Sequence, residues 1–171
     1  MTRLPDLKYP SDDYLLALGE AVFNFGLVEL GVVHYVDHRV PGFAAASYDM
    51  TAVPIMKRFQ ELATDDPELE KLADAAVDLA IIRNTLLHAR PVADPGSEPR
   101  LSYAGKEGAH EYHREDIAQF SIACISVAKF FGDWASDVVE SGGKLTDEKT
   151  FEEEIIKRIE KWKKRSLRNR G

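Results

Sequence analysis

Between Glu115 and Glu140 the apolar residues Ile117, Phe120, Cys124, Val127, Phe131, Trp134 and Val138 recur at alternating steps of three and four. On an α-helix, with 3.6 residues per turn, those steps keep one continuous apolar seam on one side. A seam this long reads as the core face of an antiparallel bundle or of a dimer. Cys124 lies inside it and reads as a small core hydrophobe rather than a nucleophile.

Other stretches repeat the period. Ser11 followed by Asp12 and Asp13 offers a capping hydroxyl and acids for a first turn. Leu15, Leu18, Val22, Phe25, Val32, Val33 and Val36 then predict a helix to about His38. Arg39 to Met50 reads as a connection with an irregular turn at Ala44–Ala46, and a shorter helix follows from about Ala52 to Ala63. Asp66 caps the third helix, with Pro67 in its first position, and Pro91 ends it. From Val92 to His113 the breakers Pro95, Gly96 and Pro99 and two short strand-like pieces predict a small β-hairpin. Its Arg100, Tyr103, Tyr112 and His113 are candidate stacking or phosphate contacts, although a plain surface hairpin is the simpler reading. Gly142-Gly143 stops the seam helix. Thr146 starts a last helix that Phe151, Ile155, Ile159 and Trp162 would dock.

The expected fold is therefore all-α: an up-and-down bundle of four main helices plus one shorter helix, with a β-hairpin after the third helix. Residues 1–171 form one domain, with an extended lead-in at 1–10 and a basic tail at 165–171.

Inside the apolar run that ends the third helix stand Arg83, Asn84 and His88. Burying a cation and an amide in such a run requires partners or water. Glu29 sits in the apolar stripe of the first helix, so the natural expectation is an ion pair with Arg83 that would orient the guanidinium. The same pair could equally be a structural one. At about 100° per residue, Arg83 and His88 point roughly 140° apart, whereas Asn84 and His88 share a face.

Arg83-Asn84 followed by His88 resembles the Arg-x4–6-His signature of the HEPN superfamily, helical bundles that include many metal-independent ribonucleases. The order of long helix, short helix, motif helix, hairpin and two helices is similar over most of the chain. The resemblance implies Arg83 and His88 as the catalytic pair and Asn84 as their polar companion; Glu29 and Arg90 are further candidates for supporting the site or binding substrate. It implies a homodimer with facing motif helices, RNA as substrate, no metal or other cofactor, and an antitoxin or regulatory protein as partner. A non-catalytic dimeric module that binds a protein, nucleotide or RNA is the other reading.

Charge and composition bound the rest. The chain carries a net −7 with 44% hydrophobic and 30% charged residues, an ordinary globular mix. From Lys157 to Gly171 eight basic residues face only Glu160, giving +7 and leaving −14 on residues 1–156. A basic tail on an acidic body suits phosphate contact; it equally suits a solvated helix end whose cations complement the macrodipole. One cysteine excludes an internal disulfide and a thiolate metal cluster within the chain. His34 and His38 have the spacing of a metal pair on one helix face, but no second ligand cluster follows, and solvated histidines are the simpler reading. No uninterrupted apolar run reaches about 18 residues, so no membrane span and a cytoplasmic location are expected.

Overall fold

The structure, a computed structural model, describes residues 10–92, 94, 97, 99–105 and 108–141, without the side chains of residues 139 and 141. Among these, five helices and three strands follow one another: α1 (Asp12–Arg39), α2 (Phe43–Ser47), α3 (Ala52–Leu62), α4 (Pro67–His88), β1 (Arg90–Val92), β2 (Arg100–Gly105), β3 (Gly108–Tyr112) and α5 (Arg114–Ser141). The expected last helix from Thr146 and the basic tail lie outside the described residues.

Local chemistry sets the helix ends. The Ser11 hydroxyl accepts from the Tyr14 backbone N–H at 3.2 Å, which caps α1. The Asp66 carboxylate accepts from the Glu68 and Leu69 amides and caps α4, with Pro67 in the first turn. The segment expected to be an irregular turn at Ala44–Ala46 is a full short helix instead. Gly42, at φ +91°, turns the chain through the left-handed region, and the Asp37 carboxylate then accepts from the Ala44 amide at 2.9 Å.

The expected two-stranded hairpin after the third helix is corrected in two ways. It follows the fourth helix, because α2 intervenes, and it is a three-stranded antiparallel sheet in the order β1-β2-β3. The extra strand contains Pro91, which pairs with Leu101. A proline has no N–H to give to a ladder, so β1 stands at the edge.

The long helices α1 and α5 form the main wall. Their contacts rise together along both chains: Asp13 with Arg114 at 3.6 Å, Asn24 with Ser121 at 2.8 Å, Tyr35 with Trp134 at a ring separation of 4.8 Å. The two helices therefore run parallel. Between them Phe25 stacks on Phe120, and Tyr35 meets Phe59, Phe131 and Trp134. Cys124 is fully buried in this seam, and burial pushes its thiol well above the ordinary range, which fits a core residue and not a nucleophile.

The helices approach closely at Gly31, where an added Cβ would stand 2.6 Å from the Phe131 Cβ. Real Cβ atoms do not come that close to a second backbone-bound carbon, so the helices would have to part. Gly31→Ala is expected to destabilise the fold by about 1–3 kcal/mol, the usual range for overpacking. Urea denaturation reads this directly, and an unchanged midpoint would show that the α1/α5 contact yields freely.

α1 is more apolar than its uninterrupted runs indicate. Glu20 and Glu29 break its apolar run, yet an 18-residue window reaches a mean hydropathy of 1.6, long and apolar enough by composition to cross a membrane. In the structure α1 is packed against α3, α4 and α5, as a core helix is, but only 22% of that window is buried. Leu16, Phe23, Leu27 and Leu30 remain exposed along one side.

Candidate functional site

The last two turns of α4 carry the motif, and the capping geometry explains why it ends there. Ala89 leaves helical geometry with ψ 149°, ahead of Pro91. His88 therefore occupies the final turn, exposed, where a cation complements the helix dipole.

Arg83 turns the other way. It is half-buried, with its guanidinium 5.7 Å from the centre of the Phe25 ring, within cation–π range. One arm donates to the Asn84 side-chain oxygen at 3.2 Å. The expected ion pair with Glu29 is not formed: among the described residues neither Arg83 nor Glu29 takes part in a salt bridge. The ring face gives the cation a favourable seat without a second desolvated charge. Glu29 and Arg83 should then behave as independent sites. In a double-mutant cycle Glu29→Ala and Arg83→Ala are expected to add to within about 0.3–0.5 kcal/mol. A larger coupling in chemical denaturation would restore the ion pair.

Thr85 ties the motif helix to the sheet. Its hydroxyl donates to the Ile82 carbonyl at 2.8 Å and shares a short bond with the Tyr112 hydroxyl. Either hydroxyl can be the donor in that bond. Burial pushes the Tyr112 phenol above its ordinary value, partly offset by the bond to Thr85. The Tyr14 hydroxyl in turn donates to the Tyr112 carbonyl at 3.1 Å, which joins the start of α1 to the same end of the bundle.

From Tyr112 an aromatic row continues across the sheet. The His110 and Tyr112 rings lie 6.4 Å apart and nearly parallel, and Tyr103, paired with His110 in the ladder, lies 6.4 Å from it. His110 is not among the residues the sequence points to, although strict alternation from Tyr112 puts it on the Tyr112 face. Arg100 belongs to the other face and is held by Asp94 at 2.7 Å and Glu111 at 2.9 Å, so it is taken up internally rather than offered to phosphate. The His113 amide donates to Asp116 at the start of α5, a capping role. Arg90, in edge strand β1, is exposed two residues beyond His88 and pairs with Ser102.

The structure thus brings Arg83 to Asn84, and Thr85 to Tyr112, while His88 and Arg90 stand open at the end of the helix. No contact joins Arg83 to His88 among the described residues. His34 and His38 also separate: His34 lines a groove between α1 and α5, and His38 sits edge-on to Trp134. That groove, about 440 Å³ and lined by Leu27, Leu30, Ile125 and Trp134 among others, includes none of the motif residues. Comparison with protein-family models, curated proteins and solved structures gives no match.

Proposed function

We propose that this chain is a HEPN-like, metal-independent endoribonuclease that works as a homodimer. The observation that carries the reading is the bond from Arg83 to Asn84, with His88 exposed one turn beyond Asn84. Asn84 holds the cation, and His88 stands apart from both within one chain. Two-fold pairing of motif helices would supply two histidines and two arginines to one cleft. In this reading the fold is an up-and-down bundle of four main helices. The chain is cytoplasmic and held in check by an antitoxin or regulatory protein.

The chemistry is transesterification. One His88 takes the proton from a ribose 2′-hydroxyl, whose oxygen attacks the adjacent phosphorus. Arg83 stabilises the charge that develops on the phosphoryl oxygens. The bond to the 5′-oxygen breaks, and the partner's His88 or water protonates that oxygen. The products are a 2′,3′-cyclic phosphate and a 5′-hydroxyl. Imidazole suits both transfers because its charge changes near neutral pH. Arg90 and the Tyr103–His110–Tyr112 row supply a cation and stacking surfaces for a single strand.

The test is cleavage of an unstructured RNA and of the matching DNA in EDTA. RNA should be cut with cyclic phosphate ends while DNA, which lacks the attacking hydroxyl, stays intact. Light scattering should give a dimer of about 38 kDa, twice the 19.2 kDa chain. A monomer that cuts nothing would remove this reading.

The second reading is a non-catalytic binding module. Arg83 resting on Phe25, away from His88, favours it, since that is how a structural cation in a helix interface is seated.

A further inference from the structure

We propose that the outer face of α1 packs against the same face of a second copy of this chain, antiparallel, about a two-fold axis between Val22 and Phe23. Leu15, Gly19, Val22, Phe23, Gly26 and Leu30 are all exposed. At about 100° per residue they fall within an arc of about 100° on the helix. Leu16 and Leu27 border that arc, and Ile125 of α5 shares a groove with Leu27 and Leu30, one turn beyond Ile122. The large side chains of this face are between 36% and 68% exposed. At about 200 Å² for a whole side chain, the eight of them leave open roughly 800 Å². That is about what one partner contributes to a standard interface. Monomers rarely keep so large a contiguous apolar patch in water.

The two glycines point to a close neighbour. Glycine is costly inside a helix, and an added Cβ at Gly19 or Gly26 would meet nothing within 4 Å among the described residues. Packing within one chain therefore gives no reason for either. A second helix crossing there can approach closely, as α5 does at Gly31. The order of the six residues also suits a two-fold. From Leu15 to Leu30 the steps are four, three, one, three and four, the same from either end. An antiparallel copy thus sets Leu15 level with the partner's Leu30, Gly19 with the partner's Gly26, and Val22 with the partner's Phe23. An isologous contact requires such self-complementarity.

Charge favours this direction. The acids of α1 are Asp12, Asp13, Glu20, Glu29 and Asp37, and none lies inside the arc between Leu15 and Leu30. In the antiparallel register the first four come level with Val33, Val32, Phe25 and Leu16 of the partner subunit. Asp37 falls past the start of the partner's α1. A parallel copy would instead set every acid level with itself, which repels. The two-fold axis lies across both helices in the plane of contact, so it keeps α4 of each copy on the same side of the pair. Arg83 rests on Phe25, within one turn of the axis, and the two motif helices therefore lie alongside it together. The pairing stands without the ribonuclease reading; only its purpose, two motifs in one cleft, rests on that reading.

The test is made on the full chain, by light scattering on dilution, with circular dichroism as the check of fold. The wild type should be a dimer at micromolar concentration. Phe23→Asp and Gly26→Leu should each raise the dissociation constant by about 10²-fold, the scale of a central contact. Both should keep the helical spectrum, because both positions face outward. Gly26→Leu adds apolar surface, so an unchanged or tighter dimer would show that no helix crosses there and would overturn the proposal. A wild-type monomer would do the same, and so would capture of the wild type by phosphatidylcholine vesicles in place of dimerisation, which would give the face to lipid. Direction is read by mild oxidation, to which the buried Cys124 is closed. Val22→Cys, next to the axis, should link to its own copy, and Leu30→Cys should link only to Leu15→Cys in a mixture. Self-linked Leu30→Cys would mean parallel helices and would equally overturn it. A dimer that cuts no RNA removes the nuclease reading and leaves the pairing standing, and a monomer that cuts RNA does the reverse.

Discussion

His88→Ala is expected to lose RNA cleavage by about 10²-fold or more, the range for removing a general acid–base. The ring is exposed at the end of α4, outside the core, so the substitution should leave the thermal midpoint nearly unchanged. Arg83→Ala should lose about 10²–10³-fold, because stabilising charge in the transition state is commonly a larger effect than proton transfer. Its variant also empties the seat above Phe25, so the activity loss must be compared at a temperature where both proteins are folded. Arg83→Lys separates the roles. It retains a cation near Phe25 but not the planar fork that reaches Asn84, and should recover stability more fully than rate. Unchanged cleavage by His88→Ala would assign the activity to a contaminant and move the assignment to the binding module.

The helices are legible in the sequence because their determinants are local. Ser11, Asp66 and Pro67 mark starts by capping chemistry, and each marks one in the structure. The seam from Ile117 to Trp134 is buried throughout, as its three-and-four spacing requires. Other features escape for physical reasons. The strand at Arg90–Val92 forms only because β2 lies beside it, and a three-residue edge containing proline has no signal of its own. The Glu29–Arg83 expectation assumes that opposite charges on facing stripes must meet, but an aromatic face can hold a guanidinium where a carboxylate would have to shed its water. Thr85 gives no signal because its partner, Tyr112, lies 27 residues further on across the sheet, beyond any periodicity. Leu15 and Val22, which the helical period places on the core stripe of α1, are 51% and 42% exposed. A helix that is apolar nearly all round does not reveal which side the protein covers.

Phe25→Ala should be the most damaging single change in the bundle, destabilising it by about 3–5 kcal/mol. Phe25 is 1% exposed, stacks on Phe120, and presents its face to Arg83, so truncation opens a cavity at the meeting of α1, α4 and α5. That loss is comparable to the whole stability of many domains, and the variant should be partly unfolded at ordinary temperature. Phe25→Leu is the informative companion. It keeps apolar bulk and should lose under about 1.5 kcal/mol, while removing the ring that attracts the guanidinium. If the ring only fills space, Phe25→Leu should match the wild type in RNA cleavage once both are folded. If it positions Arg83 for catalysis, kcat should fall. A double-mutant cycle with Arg83→Ala completes the argument. Activity losses that fail to add would mean that the aromatic seat and the cation act as one unit, and losses that add would confine Phe25 to the core.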